Sequence, residues 1–173
     1  GGDSVGIDQN SIVNNFEEFE KKVLDIHSNQ NSSCIAETYL SGKEYSVGIL
    51  QDVMSKSLIA MPIEIFVKGD LNGNHILDYN TKKHDLETVY PVNDPIIYKK
   101  ISELAKTAFI LLKGRLFGRI DIKMDMKGVP HFIEANLMPG LQKGYFYRSC
   151  SINLNMNYEQ MITKLSKNAL NSA

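Results

Sequence analysis

The sequence contains no tryptophan, only two cysteines and no long apolar run. Because Cys34 and Cys150 are too few to build a disulfide framework, the chain is not a disulfide-stabilised secreted domain and is compatible with a reducing cytoplasm. No apolar segment approaches the roughly 20 residues of a membrane-spanning helix, and no signal peptide opens the chain. We therefore expect a cytoplasmic protein without a membrane partner.

An excess of charge of either sign is also missing. The chain has 19 Lys and Arg residues against 20 Asp and Glu residues, for a formal net charge of −1. Its basic residues are scattered, so we expect no nucleic-acid partner. With 43% hydrophobic residues, 173 residues suffice for one domain with its own core.

The most informative stretch runs from Gly118 to Gly140 and reads GRIDIKMDMKGVPHFIEANLMPG. Apolar and polar residues alternate in its first half, and a second extended segment follows Lys127-Gly128, which predicts a β-hairpin. With Lys127-Gly128 as a two-residue turn, the strands align so that polar side chains share one face. The predicted cross-strand pairs are Asp121 with Glu134 and Arg119 with Asn136.

Two directly opposed carboxylates repel each other unless a positive charge lies between them. Asp121, Glu134 and Asn136 offer oxygen donors and no sulfur or imidazole, so a hard cation such as Mg²⁺ or Mn²⁺ fits better than zinc. Protein-bound Mg²⁺ commonly completes its shell with water and substrate phosphates, which points to nucleotide chemistry. The alternative is a solvated outer face of an ordinary hairpin.

The rest of the chain predicts an α+β fold, a mostly antiparallel β-sheet backed by helices. We expect Cys34 to be a buried residue in a strand. The predicted helices cover about Asn15 to Ser28, Asp94-Pro95 to Gly114, and Tyr158 to Ala169. The predicted strands are Cys34 to Leu40 and Glu44 to Leu50, which form a second hairpin, and one within Ser57 to Lys68 that Pro62 bends, near an edge or a bulge. A polar loop covers Gly69 to His84.

The first residues, Gly1-Gly2-Asp3-Ser4-Val5-Gly6, have a backbone that can fold closely around a phosphate and donate N–H groups to it. A flexible chain end explains this composition equally well. Because the chain lacks an initiator methionine and starts inside a loop, we expect it to be part of a longer protein.

The pattern R-x-D at Arg119 to Asp121, followed by E-x-N-x-x-P-G at Glu134 to Gly140, resembles the metal-binding signature of the ATP-grasp superfamily. Nearly the whole chain resembles the C-terminal half of D-alanine:D-alanine ligases. The resemblance implies that residues 1–173 form the C-terminal part of an ATP-grasp domain and that the N-terminal substrate and lysine-bearing regions are absent. It also implies an ATP- and Mg²⁺-dependent carboxylate–amine ligase that acts through an acyl phosphate in cell-wall dipeptide synthesis, that is, peptidoglycan biosynthesis.

The resemblance also implies roles for particular residues. Arg119 and the backbone N–H of Gly140 would stabilise the oxyanion that forms at the acyl carbon. The metal ligands would be Asp121, Glu134 and Asn136. The ATP-binding set would comprise Gly2 and Ser4 at the phosphates, Glu37 and Leu40 at the adenine, Glu44 at the ribose and Lys82 at the phosphates, with Lys68 and Lys83 as alternatives to Lys82.

The acceptor side departs from the ligase pattern, because Tyr145 stands where the ligases have a serine that holds the acceptor carboxylate. Lys143 is the alternative partner for that carboxylate, or the aromatic segment simply packs under the last helix. Two other functions therefore stay open: an ATP-grasp ligase for another amino acid or peptide, and a non-catalytic nucleotide-binding module. We expect ATP and amino acids as partners and the 173-residue piece alone to be inactive or nearly so. A homodimer of the full-length chain stays open.

Overall fold

The structure is a computed structural model that describes residues 8–52, 54–67 and 87–172. The chain divides into two compact units, Gly1–Ser41 with Val67–Thr88 and Gly42–Phe66 with Val89–Ala173. In the described part, the first unit contains a short 3-10 helix, Gln9–Ser11, and one α-helix. The second unit contains nearly all of the β-sheet and is the unit that carries the candidate site.

The described α-helices are α1 (Phe16–Gln30), α2 (Pro95–Leu111), α3 (Tyr145–Leu154) and α4 (Tyr158–Leu170). The strands are β1 (Glu44–Gln51), β2 (Leu58–Phe66), β3 (Thr88–Pro91), β4 (Phe117–Met124) and β5 (Pro130–Asn136). They form one sheet in the order β3-β2-β1-β4-β5, in which β1 pairs antiparallel with β2 and β4, and β4 pairs antiparallel with β5. The predicted α+β class is confirmed.

The two faces of the sheet pack against different helices because strand side chains alternate between faces. On one face, α2 lies against the buried residues of β1 and β4; this core includes Val47, Ile49, Ile120, Ile122, Ile101, Ala105 and Phe109. On the other face, α3 and α4 lie over one part of the sheet; that core includes Leu50, Met61, Phe146, Cys150, Met161 and Leu165. The rest of this second face carries polar side chains.

The helix predicted after Asp94-Pro95 is confirmed as α2. The Asp94 carboxylate accepts hydrogen bonds from the backbone N–H groups of Ile96 and Ile97, and Pro95 occupies the first helical position. The helix predicted from about Tyr158 is likewise confirmed as α4. Within the described part, no helix has both the length and the apolar character needed to cross a membrane.

The first predicted helix exists, but its start was assigned one residue too early. Asn15, the predicted first residue, is instead the N-cap, and its side chain accepts a hydrogen bond from the N–H of Glu18. The helix then continues to Gln30 and ends at Asn31 in the left-handed conformation. No residue of α1 is buried.

The strand predicted for Cys34 to Leu40 is wrong, because this segment has no regular secondary structure. The reason is topological: β1 is hydrogen-bonded to β2 on one edge and to β4 on the other, so it has no edge left for a hairpin partner. Cys34 is exposed, which corrects the expectation that it is buried in a strand. The four-residue strand β3 was not predicted, because its pattern is too short to stand out.

The strand predicted within 57–68 is confirmed as β2, and Pro62 lies in its middle, opposite Val47. Two side chains donate hydrogen bonds to backbone carbonyl groups of β2 that a longer neighbouring strand would otherwise pair with. Asn153 donates to the carbonyl oxygen of Pro62 at 3.1 Å, and Tyr98 donates to that of Ala60 at 3.3 Å. These bonds supply partners for β2 next to the short strand β3.

Gly42 shows why the segment before β1 needs a glycine. Its N–H donates to the carbonyl oxygen of Met124 at 3.0 Å, which ties the start of β1 to the end of β4. A Cβ atom at this position would lie 2.6 Å from that same oxygen. Because two of the three close neighbours are backbone carbonyl oxygens, any side chain here would force the two strands apart.

Candidate functional site in strands β1, β4 and β5

The β4–β5 hairpin brings together the pairs that the sequence predicted. Asp121 lies opposite Glu134, and Arg119 lies opposite Asn136. The predicted two-residue turn is wrong, however, because Met124 pairs with Pro130 and a longer loop, residues 125–129, joins the strands. A register irregularity after Asp121 inserts one extra residue in β5 and restores the predicted alignment at the site.

The side chain of Asp125 organises this loop. Its Oδ1 atom accepts hydrogen bonds from the backbone N–H groups of Lys127 and Val129, both at 2.8 Å, and its Oδ2 atom lies 3.3 Å from Nε2 of His131. Gly128 has a φ of 73°, a left-handed conformation that glycine adopts readily. The loop therefore sets where β5 begins and, through β5, where Glu134 and Asn136 lie.

We expect the stability of the chain to depend on the charge of Asp125. The N–H of Val129, helped by His131 and Lys127, holds the pKa of Asp125 below its ordinary value of 3.8. A lowered pKa in the folded state gives stability that is fully present above pH ~4 and is lost as the pH falls through the folded-state pKa. Urea unfolding of Asp125→Ala should therefore show a deficit relative to wild type that is constant near neutral pH and shrinks in acid.

Asp125→Asn is the control, because its amide oxygen can still accept the two backbone bonds but does not titrate. Its free energy of unfolding should lack the part of the wild-type loss at low pH that protonation of Asp125 causes. A deficit in Asp125→Ala that is unchanged between pH 7 and pH 3 would refute the role of the carboxylate charge.

The centre of the site is an ion pair within β4. Arg119 donates to Asp121 through two bonds, Nε to Oδ1 at 3.0 Å and Nη2 to Oδ2 at 2.8 Å. The hydroxyl of Ser46, on the neighbouring strand β1, donates to Oδ1 of Asp121 at 2.7 Å. The Arg119 and Asp121 side chains are only 17% and 13% exposed, so water screens this two-pronged pair poorly.

Strand β5 completes the cluster. Nη2 of Arg119 also lies 3.7 Å from Oε1 of Glu134. The Asn136 amide donates to Oε1 of Glu134 at 3.1 Å and lies 3.4 Å from Oδ2 of Asp121. Positive charge does lie between the two opposed carboxylates, as the sequence required, and in this structure the guanidinium of Arg119 supplies it.

The cluster fits a hard divalent cation in its chemistry. Asp121 and Glu134 present carboxylate oxygens, and a rotation of the Asn136 amide group would turn its oxygen toward them. The donor set is two carboxylates and one amide. It therefore differs from a group of three or more His, Cys, Asp or Glu residues, and no such group that could hold a metal ion occurs in the described ranges. A cation bound to Asp121 would compete with Arg119 for the same carboxylate oxygens.

Glu44, the residue expected at the ribose, lies at the start of β1 on the same face as this cluster. Its Oε2 atom is 3.0 Å from Nζ of Lys123, its cross-strand neighbour on β4. Sequence reasoning missed Lys123, although the alternation along β4 places it on the face of Arg119 and Asp121. Glu37, which is exposed, and Leu40, which is half-buried, belong to the other compact unit.

The segment after β5 contains a helix, α3, that the sequence did not predict. Gly140 is exposed and has open space around its Cα atom, whereas Pro139 is buried. The aromatic ring of Tyr145, the first residue of α3, lies 5.5 Å from the guanidinium carbon of Arg119. Tyr147 packs against Tyr158 of the last helix, so part of the aromatic segment does pack as the simpler alternative expected.

Five of the residues considered from the sequence lie outside the described residues. These are Gly2 and Ser4 of the glycine-rich loop and the three lysines weighed for the phosphates, Lys68, Lys82 and Lys83. The site is therefore defined here by the second compact unit alone. Its polar face follows β4, with Glu44 and Ser46 on one side and Glu134 and Asn136 on the other.

The chain is similar to a known protein family and to curated proteins. A family model described as the D-ala D-ala ligase C-terminus matches residues 1–167. D-alanine–D-alanine ligase from Dichelobacter nodosus is 26% identical over 99% of this chain and 52% of its own length. The ligase from Buchnera aphidicola is 28% identical over 96% of this chain and 51% of its own. The chain thus spans about half the length of the curated relatives that it matches.

Solved structures agree on the fold. D-alanine–D-alanine ligase from Bacillus anthracis, solved in complex with ATP, superposes with a TM-score of 0.69 at 15% identity, over 91% of this chain and 48% of that one. VanG D-Ala:D-Ser ligase from Enterococcus faecalis gives a TM-score of 0.63 at 23% identity, over 88% and 43%. Since the family model covers nearly the whole sequence, the chain belongs to the D-ala D-ala ligase C-terminus family.

Proposed function

We propose that residues 1–173 are the C-terminal part of a longer, ATP-dependent ligase that joins two D-alanine molecules for peptidoglycan synthesis. The observation that carries this proposal is the cluster of Arg119, Asp121, Glu134 and Asn136 on one face of the β4–β5 hairpin. Membership of the ligase family supports the same reaction class. ATP as the energy source agrees with the cytoplasmic location expected from the two cysteines.

In the proposed reaction, a carboxylate oxygen of the first amino acid attacks the γ-phosphorus of ATP, ADP leaves, and an acyl phosphate forms. Asp121, Glu134 and Asn136 would hold Mg²⁺, which when bound supplies charge stabilisation to phosphate oxygens. Glu44 would accept hydrogen bonds from the ribose hydroxyls, because a carboxylate suits a pair of neighbouring donors. These residues lie along one face, so they would orient one extended nucleotide.

The second step forms the new C–N bond. The amine of the second amino acid attacks the acyl carbon, phosphate leaves, and negative charge develops transiently on the acyl oxygen. Arg119 and the N–H of Gly140 are the proposed donors to that oxygen. Gly140 is suited to this because it is exposed and nothing crowds its backbone.

A second candidate function is a ligase for a different acceptor amino acid or peptide. The observation that favours it is the position of Tyr145, whose ring lies against Arg119 where the ligases have a small serine. A large aromatic ring beside the reacting centre changes the space and the polar contacts available to the acceptor. A screen of amino acids as acceptors with the full-length protein would separate the two candidates.

The proposed nucleotide site is tested by calorimetric titration with Mg²⁺ and a non-hydrolysable ATP analogue. We expect binding to depend on Mg²⁺ and to weaken about 100-fold or more in Asp121→Asn and in Glu134→Gln, since loss of a partner that merely supports a metal ligand already costs 10–100-fold. Both the 173-residue chain and the full-length protein should be titrated.

Glu103→Gln, which changes an exposed carboxylate on α2, the helix that packs against the opposite face of the sheet, is the control and should bind like the wild type. Metal-independent binding that survives both site substitutions would place the nucleotide elsewhere. Absence of binding by the full-length wild type would refute the proposed function outright. If only the 173-residue chain fails to bind, the remainder of the protein contributes essential affinity.

A further inference from the structure

Lys123 extends the pattern of charges along β4. Arg119, Asp121 and Lys123 occupy alternate positions of the strand, so their side chains point to the same face in the order positive, negative, positive. The Lys123 side chain is only 13% exposed. A lysine side chain is rarely so buried unless its charge is paired, so we expect a partner for the Lys123 ammonium group.

Lys123 pairs with Glu44, at 3.0 Å on the neighbouring strand. A second lysine–glutamate pair, Lys43 with Glu64 at 2.8 Å, lies next to it in sequence and differs in two ways. The Lys43 side chain is 65% exposed, and Glu64 is the cross-strand neighbour of Tyr45, which places that pair on the opposite face of the sheet. Lys123 therefore faces the candidate site, whereas Lys43 does not.

Distances along β4 give Lys123 a specific place. Residues two apart in a strand are separated by roughly 6.6 Å, so Lys123, Asp121 and Arg119 span about 13 Å. In the proposed function, Glu44 meets the ribose, while Asp121 and Glu134 hold the metal ion at the terminal phosphates. Because Lys123 is the cross-strand neighbour of Glu44, a nucleotide whose ribose meets Glu44 would place its first phosphate within reach of Lys123 as it extends toward Asp121.

We propose that Lys123 is a phosphate-contacting residue of the nucleotide site, held in position by Glu44. The inference rests on the proposed function and adds to it a cation that the described residues supply from β4. An ammonium group has three N–H donors, so Lys123 can donate to Glu44 and to a phosphate oxygen at the same time. Glu44 would thus act on the ribose directly and on the phosphates through Lys123.

The test compares ligands that differ only in phosphate. Lys123→Met and the matched control Lys43→Met are made in the full-length protein and titrated with adenosine, with ADP and Mg²⁺, and with a non-hydrolysable ATP analogue and Mg²⁺. Loss of one charge-assisted hydrogen bond should weaken ADP and the ATP analogue about tenfold in Lys123→Met. Adenosine affinity should change less than about threefold, and Lys43→Met should match the wild type for every ligand.

Each other outcome has a definite meaning. An equal loss for adenosine and ADP would show that Lys123 acts only by orienting Glu44, and unchanged affinities would show that it has no role; either result overturns the inference. Lys123→Arg keeps the charge and should recover part of the ADP affinity, and Lys123→Gln replaces Lys123→Met if the latter does not fold. A wild type that binds no nucleotide would instead overturn the proposed function.

Discussion

Replacing Arg119 by methionine is expected to have two opposite effects in the full-length protein. Ligase turnover should fall about 100- to 1,000-fold, the usual cost of removing one donor to a developing oxyanion. Binding of a divalent cation in the absence of nucleotide should become tighter. The second effect follows because Arg119 now neutralises Asp121 and Glu134, and its removal leaves two opposed carboxylates that a cation can bridge.

Two measurements separate these effects. Steady-state phosphate release gives turnover, and titration with Mn²⁺, followed by its paramagnetic resonance signal, gives cation affinity without nucleotide. Arg115→Met, which removes an exposed arginine four residues before Arg119, is the matched control and should change neither quantity. Arg119→Lys should restore the charge but little of the turnover, because lysine cannot reproduce the two parallel bonds to Asp121.

A fall in turnover with unchanged Mn²⁺ affinity would mean that Arg119 does not compete with the cation for Asp121. Turnover close to the wild type in Arg119→Met would remove Arg119 from the proposed reaction altogether. The two results are independent, so each part of the expectation can fail alone.

Replacing Phe146 by alanine is expected to have the largest effect on stability, with a loss of about 3–5 kcal/mol in the free energy of unfolding. Phe146 is fully buried on α3, and its ring lies 5.5 Å from that of Phe117 on β4. Tyr145, the preceding residue, contacts Arg119. Loosening α3 should therefore also disturb Arg119 and weaken binding of the Mg²⁺-dependent ATP analogue.

Phe109→Ala is the matched control, since Phe109 is equally buried but lies on α2, against the opposite face of the sheet. Both variants should lose similar stability by urea unfolding, and only Phe146→Ala should lose analogue affinity at a temperature where both are folded. Phe146→Leu and Phe109→Leu provide milder versions if alanine unfolds the chain. Equal losses of affinity in the two variants would mean that stability alone, and not the position of α3, controls the site.

The alternation of side chains along a strand predicted that Arg119 and Asp121 share one face of β4 and that Glu134 and Asn136 share one face of β5. Asp121 was placed opposite Glu134 correctly although the predicted turn was wrong, because two shifts of one residue cancel. The five-residue loop moves the alignment by one position, and the irregularity after Asp121 moves it back. Neither the length of the loop nor the register irregularity can be predicted from the local sequence, since each is favourable only once the other exists.

Elements with strong local signals could be predicted from short stretches of the chain. The cap at Asp94, the proline after it and the apolar spacing predicted α2, and the alternation in β4 and β5 predicted the hairpin that carries the oxygen donors. Which strands pair and which charged side chains meet depends on the folded arrangement of the whole sheet. Because β2 and β4 occupy both edges of β1, Cys34 to Leu40 forms no strand, and Lys123 meets Glu44. Such contacts join residues far apart in the chain, and their free energy depends on the packing of the whole sheet rather than on any short stretch.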